Sequence, residues 1–165
     1  MNATQLIDAF EFCRTGSTRE GATPVAELER LARDCASPEG TVAWKAEGGT
    51  SKQGFAQMRL AVAGTVQLTC QRCLAPFAFE IDSSTLLMLG EDDAKADEIE
   101  EVIDDETIDV IVGTRSMNLM DLIEDEALLA LPQAPKHDVC PDTALLDSLR
   151  GEKKSPFEAL KALKK

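Results

Sequence analysis

The chain has 165 residues, 44% of them hydrophobic, which suffices for one domain with a real core, and a formal net charge of -13. An acidic chain repels phosphate, and aromatics make up only 4% of it with no tyrosine, so neither a general electrostatic grip on nucleic acid nor a row of base-stacking rings is expected. The acidity is local: Glu91 to Asp109 holds 11 acidic residues against Lys95 alone, while Arg150, Lys153, Lys154, Lys161, Lys164 and Lys165 gather at the C-terminus.

No basic region followed by a long apolar run opens the sequence, and no apolar run reaches the ~18 residues of a membrane span, so neither a secretory signal nor a transmembrane segment is predicted. Five cysteines, an odd number, do not suit a complete intramolecular disulfide framework. A reducing, cytoplasmic location follows as the expectation.

In chain order, Leu6, Ile7, Phe10 and Phe12 suggest a short strand or helical turn at an edge, and Arg14 to Ala22 a polar loop. Thr23 can cap a helix that carries Pro24 in its first turn, where a missing N–H costs nothing. Val25, Leu28, Leu31, Ala32 and Cys35 fall on one face of that helix, and Ser37, Pro38 and Gly40 end it. Val42 and Trp44 suggest a strand, followed by a loop from Glu47 to Gly54. From Met58 the alternation is clean: Met58, Leu60, Val62, Val66, Leu68 and Cys70 point one way and Arg59, Thr65, Gln67 and Thr69 the other. Gly64 is placed for a bulge or bend. Gln71 to Pro76 turns the chain, and Phe77, Phe79 and Ile81 resume the period of two, which predicts an antiparallel hairpin. Residues 91–105 predict a self-repelling acidic loop. Ile108, Val110 and Val112 suggest a return strand. Asn118 then caps a helix striped by Leu119, Leu122, Ile123, Ala127 and Ala130, which Pro132 and Pro135 end. A short helical turn is predicted within Pro141–Arg150. After a linker, Ser155, Pro156 and Glu158 start a last helix with Phe157, Leu160 and Leu163 as its apolar stripe.

Four residues carry the clearest chemistry. Cys70 and Cys73 form a C-x-x-C on the turn between two strands, a spacing that aims two thiolates at one soft metal ion. His137 and Cys140, in a proline-flanked loop, can complete a tetrahedral set for zinc. The competing reading is a buried thiol pair beside an ordinary loop histidine, since cysteine packs as a small apolar residue. Redox catalysis fits poorly, because the motif joins strands and does not open a helix. Cys13 and Cys35 read as structural. Glu124, Asp125 and Glu126 point about 100 degrees apart around a helix, which suits a solvated face with one carboxylate anchoring an arginine such as Arg72. No catalytic residue is assigned: nothing supplies an orienting partner or oxyanion site for a Cys–His pair.

Three stretches in series resemble the YceD family: Val66–Leu74 with Pro76–Phe77; Leu122–Glu126 through Leu129–Pro132, then Pro135, His137 and Cys140; and the tail Ser155–Lys164. The resemblance implies a non-enzymatic role in large-subunit (23S) ribosomal RNA synthesis, processing or accumulation in bacteria. Ribosomal or ribosome-assembly proteins are the expected partners, with no membrane and no small-molecule substrate. The alternative is direct contact with the RNA through Arg72, Lys153, Lys154, Lys161 and Lys164; a zinc-dependent or thiol enzyme ranks last. The expected fold is α+β, an antiparallel, strongly curved sheet or partial barrel with helices packed against it. One domain would span 1–150, with its acidic loop at about 90–106, and 151–165 would add a linker and an amphipathic helix.

Overall fold

The computed structural model describes residues 5–141 and 147–148. The expected N-terminal edge element is both a strand and a helix: β1 (Leu6–Ile7) leads into α1 (Ala9–Arg14), whose first turn Asp8 caps by accepting from the backbone N–H groups of Phe10 and Glu11. A strand, β2 (Thr18–Pro24), occupies most of the expected polar loop. The helix predicted from Thr23 is correspondingly broken. Pro24 stays extended at ψ 140, a 3-10 turn covers Val25–Glu27, Leu28 is again non-helical, and α2 runs only from Glu29 to Asp34. Its apolar spacing is real, since Val25, Leu28 and Leu31 are all buried, but two short turns deliver them to the core.

The next two strands are longer than their sequence cores. β3 (Thr41–Thr50) takes in much of the predicted Glu47–Gly54 loop, and β4 (Ala56–Thr69) pairs with β5 (Pro76–Gly90) in the expected antiparallel hairpin. Every residue of the predicted inward set from Met58 to Cys70 is buried. The register passes Gly64 opposite Ile81 without skipping a residue, so there is no bulge there. Gly64 serves close approach instead: a Cβ on it would lie 2.4 Å from the Thr41 carbonyl oxygen.

The acidic stretch is a helix and not a loop. Asp92 caps α3 (Asp93–Ile103) by accepting from the Lys95 N–H, and Ile99 is buried while most of the carboxylates face water. β6 (Asp109–Val112) then returns beside β5, but parallel to it. Last come β7 (Met117–Asn118), which pairs with β1, and α4 (Leu119–Leu129), capped by Asn118 as predicted.

These pairings overturn the expected sheet. It is neither purely antiparallel nor strongly curved into a partial barrel. It is a five-stranded mixed sheet in the order β2-β3-β4-β5-β6, open at both edges. The helical crossover through α3 forces β6 to run parallel to β5, as a strand–helix–strand unit does. A barrel would need its edge strands to pair, and here they are unequal, seven residues in β2 and four in β6. Leu119, Ile123 and Ala127 of α4 are fully buried against the face of Leu60, Val62, Val66 and Leu68. Met88, of opposite parity to Leu87 and Leu89, is buried outside that main cluster, and α3 packs on β5 and β6 at this end. The metal-ligating candidates lie at the other end of the hairpin. No described helix is long and apolar enough to cross a membrane.

Candidate metal centre

The β4–β5 turn is shaped by its own backbone. Cys70 donates its N–H to the Ala75 carbonyl at 2.9 Å, and Leu74 donates to the Cys70 carbonyl at 2.8 Å. This places Leu74 at φ 62, the left-handed conformation that glycine adopts without steric cost. Glycine is usual after the second cysteine of a metal-binding turn; here the geometry is kept with a leucine.

The second half of the site comes from the segment after α4. Pro132 and Pro135 follow the end of α4 and keep the helix from continuing, and the Gln71 N–H donates to the Pro135 carbonyl at 2.8 Å. Arg72, on the turn, donates from Nη2 to the His137 carbonyl at 3.2 Å. The His137 ring lies against Phe77, centroids 5.0 Å apart and tilted 44°. The turn and the loop are thereby tied from both sides.

The result gathers Cys70, Cys73, His137 and Cys140 with their ligand atoms all within 4.8 Å of one another. Cys70 Sγ lies 3.9 Å from Cys140 Sγ, and Cys73 Sγ lies 3.3 Å from His137 Nδ1. A tetrahedral zinc ion with bonds of about 2.3 Å to sulfur and about 2.0 Å to nitrogen would hold such pairs at about 3.8 Å and about 3.5 Å. These two separations fit that cage within a few tenths of an ångström, and the cluster as a whole, spread over no more than 4.8 Å, would tighten slightly around an ion. Cys70 is buried and the other three are half-buried.

The surroundings favour a thiolate at Cys70. Burial pushes the Cys70 thiol up, but the N–H groups of Cys73, His137 and Arg72 and the His137 side chain outweigh it and hold Cys70 well below the ordinary thiol range. Two of these donors sit at 3.4 Å, Arg72 N and His137 N. Cys140 is raised by burial and by its hydrogen bonds with Cys73 and Cys70. Cys13 and Cys35 lie elsewhere, and burial raises both.

The structure thus brings together all four residues singled out as ligands in the sequence. It gives Arg72 a structural partner in the loop carbonyl. Lys153, Lys154, Lys161 and Lys164, with the predicted last helix, lie outside the described residues. The solvated face expected for Glu124–Glu126 is wrong for two of its three members. Glu124 is 7% exposed and accepts from the backbone N–H groups of Arg30 and Leu31 and from Arg30 Nε, and Glu126 accepts from the Ser83 hydroxyl. The arginine anchored there is Arg30, which also meets Asp125, and not Arg72. Sequence reading missed Arg30 because the continuous helix expected from Thr23 puts Arg30 in its interior, whereas the break at Leu28 puts it in the first turn of α2, where its N–H needs an acceptor. It also missed Phe77 and Pro135 as supports of the site, for which proximity to the cysteine and histidine pairs was the available signal.

A family model described as large ribosomal RNA subunit accumulation protein YceD matches residues 58–164. The match covers well over half of the chain and includes all four clustered residues. No solved structure matches the chain.

Proposed function

Because the chain belongs to the YceD family, and is therefore a non-enzymatic factor in ribosomal RNA accumulation, we propose that it works as a zinc-clasped adaptor that binds a protein partner during assembly of the large ribosomal subunit. The observation that carries this is the convergence of three thiols and one imidazole from two separate elements within 4.8 Å. Four protein ligands fill a tetrahedral zinc site and leave no position for water, which is the arrangement of a structural ion and not a catalytic one. Zinc would stabilise the thiolates and fix the β4–β5 turn to the loop after α4.

Charge favours a protein partner. The body of the molecule carries most of the negative charge, α3 above all, and ribosomal proteins are basic, so complementary fields would speed their encounter. Residues 151–165 would act as a separate basic arm beyond the domain of 1–150. Assembly of the subunit places this work in the cytoplasm.

Two measurements test the reading. Elemental analysis of the purified chain should give one zinc per molecule, lost in a Cys70→Ser/Cys73→Ser variant. Affinity purification from cells should recover large-subunit or assembly proteins with the wild type and fewer with the variant. Recovery of ribosomal RNA alone, with binding that falls steeply as salt rises, would instead favour direct RNA contact through Arg72, Lys153, Lys154, Lys161 and Lys164.

A further inference from the structure

The four clustered groups are not equivalent. Cys140 reaches both Cys70 and Cys73, but Cys73 Sγ is engaged by His137 Nδ1 at 3.3 Å, which leaves Cys70 Sγ, 3.9 Å from Cys140 Sγ, as its partner. The turn carrying Cys70 and Cys73 is pinned by the Cys70 N–H to Ala75 and the Leu74 N–H to Cys70. The segment carrying Cys140 is in neither helix nor strand. A disulfide needs its sulfurs at about 2.05 Å with a suitable dihedral. The Cys140 side can close that gap by moving a loop, whereas a Cys70–Cys73 bond would have to deform the pinned turn. Cys140 is also half-buried, within reach of a small oxidant, and Cys70 sits directly behind it, buried.

We propose that Cys70 and Cys140 are a specific oxidation site: a peroxide converts the metal-bearing clasp into a metal-free clasp closed by a Cys70–Cys140 disulfide. The metal-bound starting state rests on the zinc reading above; the pairing does not. In the metal-bound state both sulfurs would be thiolates; in the first step the Cys140 sulfur attacks a peroxide oxygen, the O–O bond breaks, and hydroxide leaves, giving the sulfenic acid. In the second the Cys70 sulfur attacks the Cys140 sulfur, the S–O bond breaks, and a second hydroxide leaves as the S–S bond forms. Two electrons pass from the two thiolates to the peroxide, and two solvent protons turn the hydroxides into water. Cys73 and His137 alone cannot retain zinc, which departs. The turn and the loop stay joined in both states, by the ion in one and by the disulfide in the other.

The test uses the whole chain, loaded with zinc and treated with hydrogen peroxide. A colorimetric zinc chelator should register release of one zinc per chain with loss of two thiols. An unreduced digest should contain the Cys70 peptide linked to the Cys140 peptide, and a thiol reductant should separate them. A Cys70–Cys73 link, a Cys73–Cys140 link, or zinc release with no disulfide would overturn the proposal. The same treatment of metal-free chain is run alongside. Failure to take up zinc would sink the metal reading by itself, and the metal-free sample would still decide the pairing. In a Cys140→Ser variant, shown to be folded by circular dichroism, Cys70 and Cys73 should remain free thiols at the same dose. A Cys70–Cys73 disulfide forming there as fast as the wild-type link would count against the pairing.

Discussion

Leu74 and Glu124 show how single residues hold this molecule in shape. Leu74 occupies a left-handed conformation while 63% exposed, so its side chain returns little burial for the steric cost. Glycine would remove roughly 1–2 kcal/mol of strain and add roughly 0.5–1 kcal/mol of unfolded-state entropy. Leu74→Gly should therefore raise stability by about 0.5–1 kcal/mol, read as a higher guanidinium midpoint with zinc present. Glu124 satisfies two backbone N–H groups at the start of α2 and one arm of Arg30. Those donors lose their acceptor in Glu124→Ala, so chemical denaturation should show a loss of about 2–3 kcal/mol. Asp125, half exposed beside the same arginine, should cost less than about 1 kcal/mol when truncated, because water screens that pair. An equal loss for both variants would show that the ion pair, and not the capping of α2, is what matters.

At the scale of elements, two helices are held by close contacts that sequence periodicity does not reveal. A Cβ on Gly48 of β3 would lie 2.3 Å from the Phe12 carbonyl oxygen of α1, and backbone cannot move aside as a flexible side chain can. Gly48→Ala should cost more than about 2 kcal/mol, with hydrogen exchange rising in residues 9–14 before the sheet opens. The acidic helix α3 is ordered because one face is apolar: Ile99 is buried, and Ala96 lies against Gly90. The charge run is the solvated face of this packed element. Ile99→Asp should release α3, seen as loss of amide protection over 93–103 while the β3–β4–β5 ladder keeps its protection. Retained protection over 93–103 would mean that α3 is held by its contacts with β6 and not by Ile99.

For the whole molecule, the clasp joins a turn in the middle of the chain to a loop some seventy residues later in sequence. Removing zinc with a strong chelator should lower the melting temperature by several degrees, because binding energy at a site that exists only when folded is folding energy. The ligands also differ in proton load. Without metal the Cys70 thiol lies well below its ordinary range and is ionised at pH 7, whereas Cys140 lies above its range and is protonated. Zinc uptake at pH 7 should thus release a proton from Cys140 and not from Cys70. Calorimetry in buffers of different ionisation enthalpy should find about one proton fewer for Cys140→Ser and no such change for Cys70→Ser. What could be read from the chain alone were the features set by local repetition and chemistry: the Met58–Cys70 alternation, the capped α4 stripe and the four metal-ligating residue types. Each of these follows from a short-range period or from what a side chain can bind. Tertiary contact alone decided that β6 runs parallel to β5, that the sheet stays open, that the acidic stretch folds as a helix, and that Arg30 is the partner of Glu124. Those outcomes depend on which surfaces meet across long sequence separations, and repulsion within a charged run is outweighed once one apolar face finds a sheet to cover.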